Sequence, residues 1–188
     1  MMKHLVFLFI FSSVLAMSQS NKGAVEDCAP MKKGKVCYTD AVEMKGVDKS
    51  TLFNAIDMWA KKNYGKDVFM SNVSSNKNKG TILVSSKVEL LLNDSTKTLL
   101  RYKMYINCEN NNYSCDVTDI HYQYTAKNNR RFKHYAAEEV IADNGKSNTA
   151  EAIKDPLLFC KGTFFFAESL FAEVNEAVKI ITENPMTE

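Results

Sequence analysis

The chain has 188 residues, 45% of them hydrophobic and 24% charged, with seven Gly and three Pro. That is an ordinary globular mixture and excludes collagen-like, coiled-coil and disordered chains. Lys and Arg exceed Asp and Glu by 24 to 22, a formal charge of +2, too small for a generic nucleic-acid binder.

Residues 1–18 read as a signal peptide. Lys3 and His4 form a basic start, and Leu5 to Ala16 is an apolar run of twelve. A spanning helix needs about 18–20 such residues, so the run is too short to cross a bilayer. Ala16 and Ser18 are small enough for a cleavage site before Gln19, and a cut after Ala16 competes with it. Taking 18 residues from 188 leaves 170, and Lys3 goes with them, so the mature charge is +1. Export to the periplasm, the cell envelope or the outside is the expectation. No later apolar run reaches spanning length, so no transmembrane segment is expected after cleavage.

Residues 19–34 are polar and aperiodic and read as a flexible mature N-terminus. A single domain over 35–188 follows. Residues 35–44 are β-branched and aromatic enough for a first strand. Asp48 is a good N-cap, Val47 can staple onto Leu52, and Leu52, Ile56 and Trp59 recur at helical spacing. The spacing predicts a helix over 49–63, ending near Asn63 to Gly65. Residues 67–74 read as a second strand and Asn76 to Gly80 as a turn.

Residues 81–92 alternate, with Ile82, Val84, Val88, Leu90 and Leu92 on one side and Thr81, Ser85, Lys87 and Glu89 on the other. Asn93 to Lys97 is read as a five-residue loop. Residues 98–108 alternate again, with Leu100, Tyr102, Met104 and Ile106 apolar, and 113–125 return after a turn at Asn110 to Asn112. Residues 126–148 are charged and irregular, with room for a short helix near 135–142, and 149–159 can form another. Phe164, Ala167, Leu170, Phe171, Val174, Ala177, Val178 and Ile181 make a helical stripe over 163–183, stopped by Asn184-Pro185. The order β-α-β-β-β-β-α predicts an α+β domain: an antiparallel sheet of about five strands with two amphipathic helices on one face.

The stretch KVCYTDAVEMKGVDKSTLFNAIDMWAKKNYG and the hairpin YKMYINCENNNYSCDVTDIHYQY resemble an uncharacterised family of exported Bacteroidetes proteins with a TATA-binding-protein-like fold. The likeness rests on Val42 to Val47, Leu52 to Lys62 and Thr118-Asp119, and spans roughly residues 35–125. The cysteine pair of the hairpin and the charged segment after it depart from the pattern. The resemblance implies a fold and an envelope location; it brings no activity, and a fold alone supplies none.

Five Cys are present, with no CxxC and no Cys/His cluster, so neither a metal site nor a cofactor is expected. Pairing about residues 111–112 sets Cys108 opposite Cys115, within disulfide reach, and two unbridged inner thiols are the competing reading. Asp119 and His121 share one side of a strand and are the candidate pair for an unrecognised enzyme. A satisfied polar patch is the simpler reading. Unbulged pairing puts both on the apolar face; a bulge after Val117 would turn Ile120 and Tyr122 inward instead.

The wet face of the meander is the candidate ligand surface. Arg101, Lys103, Tyr105, Tyr122 and Tyr124 interleave cations with aromatics, a pattern that suits nucleic acid or glycans. Ordinary cross-strand pairing, Arg stacked on Tyr beside a Glu, is the simpler reading: a five-residue loop sets Glu89 opposite Arg101 and Lys87 opposite Lys103, and an unbulged hairpin sets Arg101 opposite Tyr122 with Tyr105 nearby. Export makes nucleic acid a poor partner. Arg130, Arg131, Lys133 and His134 form a basic cluster that reads as a solvated loop. Glu138 and Glu139 adjoin in sequence and so diverge on a helix. Asp94-Ser95-Thr96 resembles a short O-glycosylation motif of exported Bacteroidetes proteins. Phe164 to Phe166 supplies more rings than one buried face needs; core packing accounts for at least two, and the third is available to a partner, a second copy or a membrane. The reading is a non-enzymatic envelope domain binding a ligand or an envelope protein; a homo-oligomeric assembly subunit is the alternative.

Overall fold

The structure, a computed structural model, describes residues 27–124 and 132–183; the expected signal peptide, Arg130 and Arg131 lie outside the described residues. Period-two alternation builds the body of the fold. Strands β3 (Tyr38–Glu43), β4 (Ser71–Asn76), β5 (Thr81–Asn93), β6 (Thr96–Glu109) and β7 (Asn112–Tyr124) form an antiparallel sheet in the order β3-β7-β6-β5-β4. One face carries Ile82, Val84, Leu100, Tyr102, Met104, Ile106, Val117, Ile120 and Tyr122, all essentially inaccessible to water. Short strands β1 (Met31–Lys32) and β2 (Lys35–Val36) make a separate hairpin, and β8 (Lys133–Ala136) pairs with the end of β7.

Helix α1 (Lys49–Tyr64) starts where the sequence places it. Asp48 Oδ1 accepts from the N–H of Ser50 at 2.8 Å and of Thr51 at 3.0 Å, and Leu52, Ile56, Trp59 and Ala60 are buried in the core. Strand β4 begins four residues later than expected. Asp67 turns the chain there: its Oδ1 accepts from Phe69 N at 3.0 Å and its carbonyl from Ser71 N at 2.8 Å, the local side-chain competition that keeps Asp out of strands. Helix α2 (Ala137–Val140) is one turn, followed by a 3-10 turn at Ala142–Gly145. Helix α3 (Pro156–Glu183) merges the two helices expected for 149–159 and 163–183. Pro156 is pre-set for a first helical position, and Asp155 Oδ1 accepts from Leu158 N at 3.1 Å. At about 1.5 Å per residue its 28 residues span roughly 42 Å, crossing the inner face of the sheet beside α1. Gly162 packs against Leu92 in that crossing: a Cβ there would fall 2.6 Å from Leu92 Cδ2, so the leucine side chain would have to shift.

Three registers differ from expectation. The β5–β6 connection is a two-residue turn, with Asn93 paired to Thr96 and a bulge beside it. Asn93 Oδ1 tightens the turn by accepting from Ser95 N at 3.0 Å and Thr96 N at 2.8 Å. Lys87 therefore faces Arg101 and Ser85 faces Lys103, while Glu89 pairs with Lys97 at 2.9 Å. The expected Glu89–Arg101 and Lys87–Lys103 pairs are not made.

The β6–β7 turn is Asn110-Asn111, with Glu109 paired to Asn112. Asn111 takes the left-handed conformation, and both side chains are held from outside the hairpin. Asn110 Oδ1 accepts from Lys49 N at 3.0 Å, and Asn111 Oδ1 from Gly46 N at 2.8 Å. Docking onto the start of α1 selects this turn, two residues of register away from the expected one. Cys108 thus faces Tyr113 and Cys115 faces Ile106. The expected Cys108–Cys115 bridge does not form, because diagonal neighbours on one face lie roughly 7–8 Å apart, and both thiols are free and buried. The disulfide is instead Cys28–Cys160, with Cα atoms 5.5 Å apart and a sequence separation of 132.

The third difference is in β7. Between Arg101 and Lys103 the pairing shifts by one residue, with Asp119 in a left-handed conformation at φ 52°. This is the bulge held open as an alternative, and it turns Ile120 and Tyr122 into the core. The bulge falls where the neighbour of β7 changes. Residues 112–117 pair with β3, Thr118 Oγ1 donates to Val36 O at 3.1 Å, and 121–124 pair with β8.

Candidate functional site

Both long helices lie on the inner face, so the alternate residues of the strands form an outer face open to solvent. Its rows can be read straight from the pairing. One row runs Thr39, Asp116, Tyr105, Leu83, Ser74; the next runs Ala41, Ser114, Asn107, Thr81, Asn76. Over these rows lies a groove of about 500 Å³, with Lys79 at its end. Leu83 and Tyr105 are direct cross-strand partners and form its apolar floor. Tyr105 is 42% exposed, whereas Tyr38, Tyr102, Tyr113 and Tyr122 are buried.

Beyond the groove the face carries charge, and much of it is internally paired. Asp119 accepts from Lys35 Nζ and, at 3.0 Å, from Lys103 Nζ. Asp116 accepts from Lys32 Nζ at 2.7 Å and Thr39 Oγ1 at 2.6 Å. These pairs pin the β1–β2 hairpin to β7. Hydrogen bonds from Lys35 first, then Lys103, hold the Asp119 carboxyl below its ordinary range. Burial pushes Asp116 up, but the bonds from Lys32 and Thr39 outweigh it and the net shift is downward. A carboxyl depressed in the folded state gives stability that is complete above its unfolded value, near about 3.9, and is lost as pH falls through the folded one. The hairpin should therefore loosen on acidification below about pH 4. Urea midpoints at pH 3 and pH 6 check this: Asp119→Asn should shrink the difference between them, and an unchanged difference would count against the clamp.

The candidate residues divide between the two faces. Arg101, Lys103 and Tyr105 stand on the outer face as expected. Tyr122 and Tyr124 do not. The bulge turns Tyr122 inward, where its hydroxyl meets Thr163 Oγ1 at 2.7 Å and its ring packs edge-on against Phe159, with centroids 5.1 Å apart. Tyr124 is half-buried and packs on the same Phe159 at 5.5 Å. Arg101 faces His121 and Lys87, not Tyr122.

Asp119 and His121 form no acid–base pair. The carboxylate is committed to two lysines, and His121 Nδ1 meets the Asp119 carbonyl oxygen at 3.0 Å. The buried thiols suit no nucleophile, since desolvation pushes Cys108 up to about 11 and raises Cys115 as well. Among the described residues no three His, Cys, Asp or Glu side chains group as metal ligands, and no helix is long and apolar enough to cross a membrane. Of the aromatic triplet, Phe164 packs near Tyr38 and Phe166 on Tyr102, while Phe165 is exposed. Lys133 and His134 sit on β8.

Sequence reasoning missed Leu83, Asn107, Ser114 and Ser74, the uncharged part of the groove. The signal was present for Leu83, an apolar residue whose place in the alternation of 81–92 is on the wet side. It also missed the lysines of the β1–β2 hairpin, for which only Lys33-Gly34, a positive-φ turn, gave a local sign.

Comparison with known proteins agrees with the architecture. Residues 38–123, from β3 almost to the end of β7, match the model of DUF4468, a domain of unknown function with TBP-like fold. A crystal structure of a TBP-like protein from Parabacteroides distasonis ATCC 8503 is similar with a TM-score of 0.78. It is 62% identical and covers 81% of this chain and 97% of that one. A DUF4468 family protein from Bacteroides ovatus ATCC 8483 is 21% identical, with a TM-score of 0.71 over 85% of this chain and 96% of that one, and shares the fold. No curated protein matches the chain. With its sheet, its α1 and most of its length shared with a relative at 62% identity, the chain belongs to the DUF4468 family of TBP-like fold.

Proposed function

We propose that this chain is an exported, non-enzymatic binding domain of the cell envelope that takes a ligand or partner on its helix-free sheet face. The observation that carries the reading is the groove built around the exposed Tyr105 and its cross-strand partner Leu83 on the helix-free face. An aromatic ring left in water in the middle of a sheet contributes nothing to the core, and it offers a rigid contact with little side-chain entropy to lose. The apolar run Leu5 to Ala16 and the Cys28–Cys160 disulfide, a bond that persists in oxidising compartments, support export. The commitment of Asp119 to lysines and the inert thiols support a binding role over a catalytic one.

A photo-crosslinking amino acid placed at position 105, in cells of the source organism, tests this. Adducts with another molecule are expected from position 105 and none from position 165, where Phe165 is exposed on α3. No adduct from position 105, or a mature chain found in the cytoplasm, would overturn the reading. An adduct of twice the chain mass from position 165 would favour the assembly subunit instead.

A further inference from the structure

The chemistry of the groove narrows the ligand, on the assumption that the sheet face binds one. We propose that the groove takes a neutral saccharide, one pyranose ring stacked on Tyr105. The floor is apolar, formed by Tyr105 and its cross-strand partner Leu83. The rim is made of Ser74, Asn76, Thr81, Asn107 and Ser114. Each of these side chains both donates and accepts hydrogen bonds. A pyranose matches that pattern, because its C–H faces are apolar and its equatorial hydroxyls donate and accept around the edge.

Charge and hydrogen-bonding capacity weigh against the other ligand classes. A polyanion needs several uncommitted cations, yet the groove has one lysine, Lys79, and one carboxylate, Asp116. The lysines beside it, Lys32, Lys35 and Lys103, are bound to Asp116 and Asp119. The cations of the same face that are unpaired among the described residues, Arg101 and Lys87, stand beyond Lys103 along the strands and outside the groove lining. A hydrophobic ligand would desolvate the hydroxyls of Ser74, Thr81 and Ser114 without giving them partners, which is costly; Asn76 Oδ1 and Asn107 Nδ2 are already bonded to Lys79 N and Glu109. The volume of about 500 Å³ lies within the range of small-molecule sites, about 300–1,000 Å³.

The test is titration of the mature chain, by amide-resolved NMR, with neutral trisaccharides of glucose, xylose, mannose and N-acetylglucosamine. A single-stranded oligonucleotide and heparin serve as polyanionic probes. The expected result is that at least one trisaccharide shifts the amides of Leu83, Tyr105, Asn107 and Ser114. Tyr105→Ala should weaken that binding about tenfold or more, and Tyr105→Phe should largely restore it. Raising salt from about 50 to about 200 mM should leave affinity within roughly twofold, where a polyanion making several contacts would lose orders of magnitude. Binding of none of the trisaccharides overturns the proposal, as does binding of a polyanion alone. A protein adduct at position 105 would retain the open-face reading and remove the saccharide, so the two failures are distinguishable.

Discussion

Replacing Cys28 and Cys160 together by alanine is expected to destabilise the folded chain by about 3–5 kcal/mol. The bridge closes a span of 132 residues, and the chain-entropy treatment gives about 5 kcal/mol for a loop of that length. For a protein of this size each kcal/mol moves the midpoint by about 2–4 °C, so melting should fall by roughly 10 °C. The loss should be uneven. Cys28 is the anchor of the N-terminal segment: Tyr38 Oη donates to its carbonyl at 2.7 Å, and its N–H donates to Asn144 Oδ1 at 3.0 Å. Hydrogen exchange should therefore quicken first at Cys28 and through the β1–β2 hairpin, and later in β5 to β7. Calorimetry of the oxidised, reduced and doubly substituted chains checks the claim. Equal melting of all three would mean that α3 and the N-terminal segment are held without the bridge.

Tyr122→Ala should cost about 3–5 kcal/mol, while Tyr105→Ala should change stability by no more than about 0.5 kcal/mol. Sequence alternation groups the two tyrosines on one wet face, so the pair discriminates between the registers. In the bulged register Tyr122 is inaccessible, stacked edge-on against Phe159 and bonded to Thr163, whose hydroxyl also donates to the Phe159 carbonyl at 2.8 Å. Truncation there removes a packed ring and a buried hydrogen bond and leaves a cavity between β7 and α3. Tyr105, on the other face, gives up contact with water and with Leu83, and a weak electrostatic contact with the solvent-exposed Lys35 and Lys103. Urea denaturation of both variants, with slopes compared, is the measurement. Similar small losses for both would restore the unbulged strand and remove Tyr105 as the distinguishing residue of the groove.

Much of the fold was legible because its signals are local. Asp48 before Leu52, Ile56 and Trp59 specifies α1 by a cap and a repeat contained in one short segment. The alternations of 81–92 and 98–108 assign inner and outer residues correctly, including Lys103 and Tyr105 on the outside. The candidate site was legible only in part, since a face requires a register between strands. Register depended on Asn110 and Asn111 reaching Gly46 and Lys49, about sixty residues earlier in the chain.

From its residues alone, this chain determines the order of α1, the main strands β3 to β7 and the C-terminal helix, the α+β layering and the two sides of β5 and β6. Those follow from hydrophobic period and capping, which neighbouring residues settle among themselves; the β1–β2 hairpin and β8 lie in segments whose local pattern reads as irregular. Only the tertiary structure decides that Cys28 meets Cys160, that Asp119 bends β7 under Lys35 and Lys103, and that Tyr122 leaves the outer face while Tyr105 stays. Each of these depends on contacts between segments 16 to 132 residues apart. A chain's local pattern carries no term for the closure of such distances, and a one-residue bulge is enough to exchange the faces of everything after it.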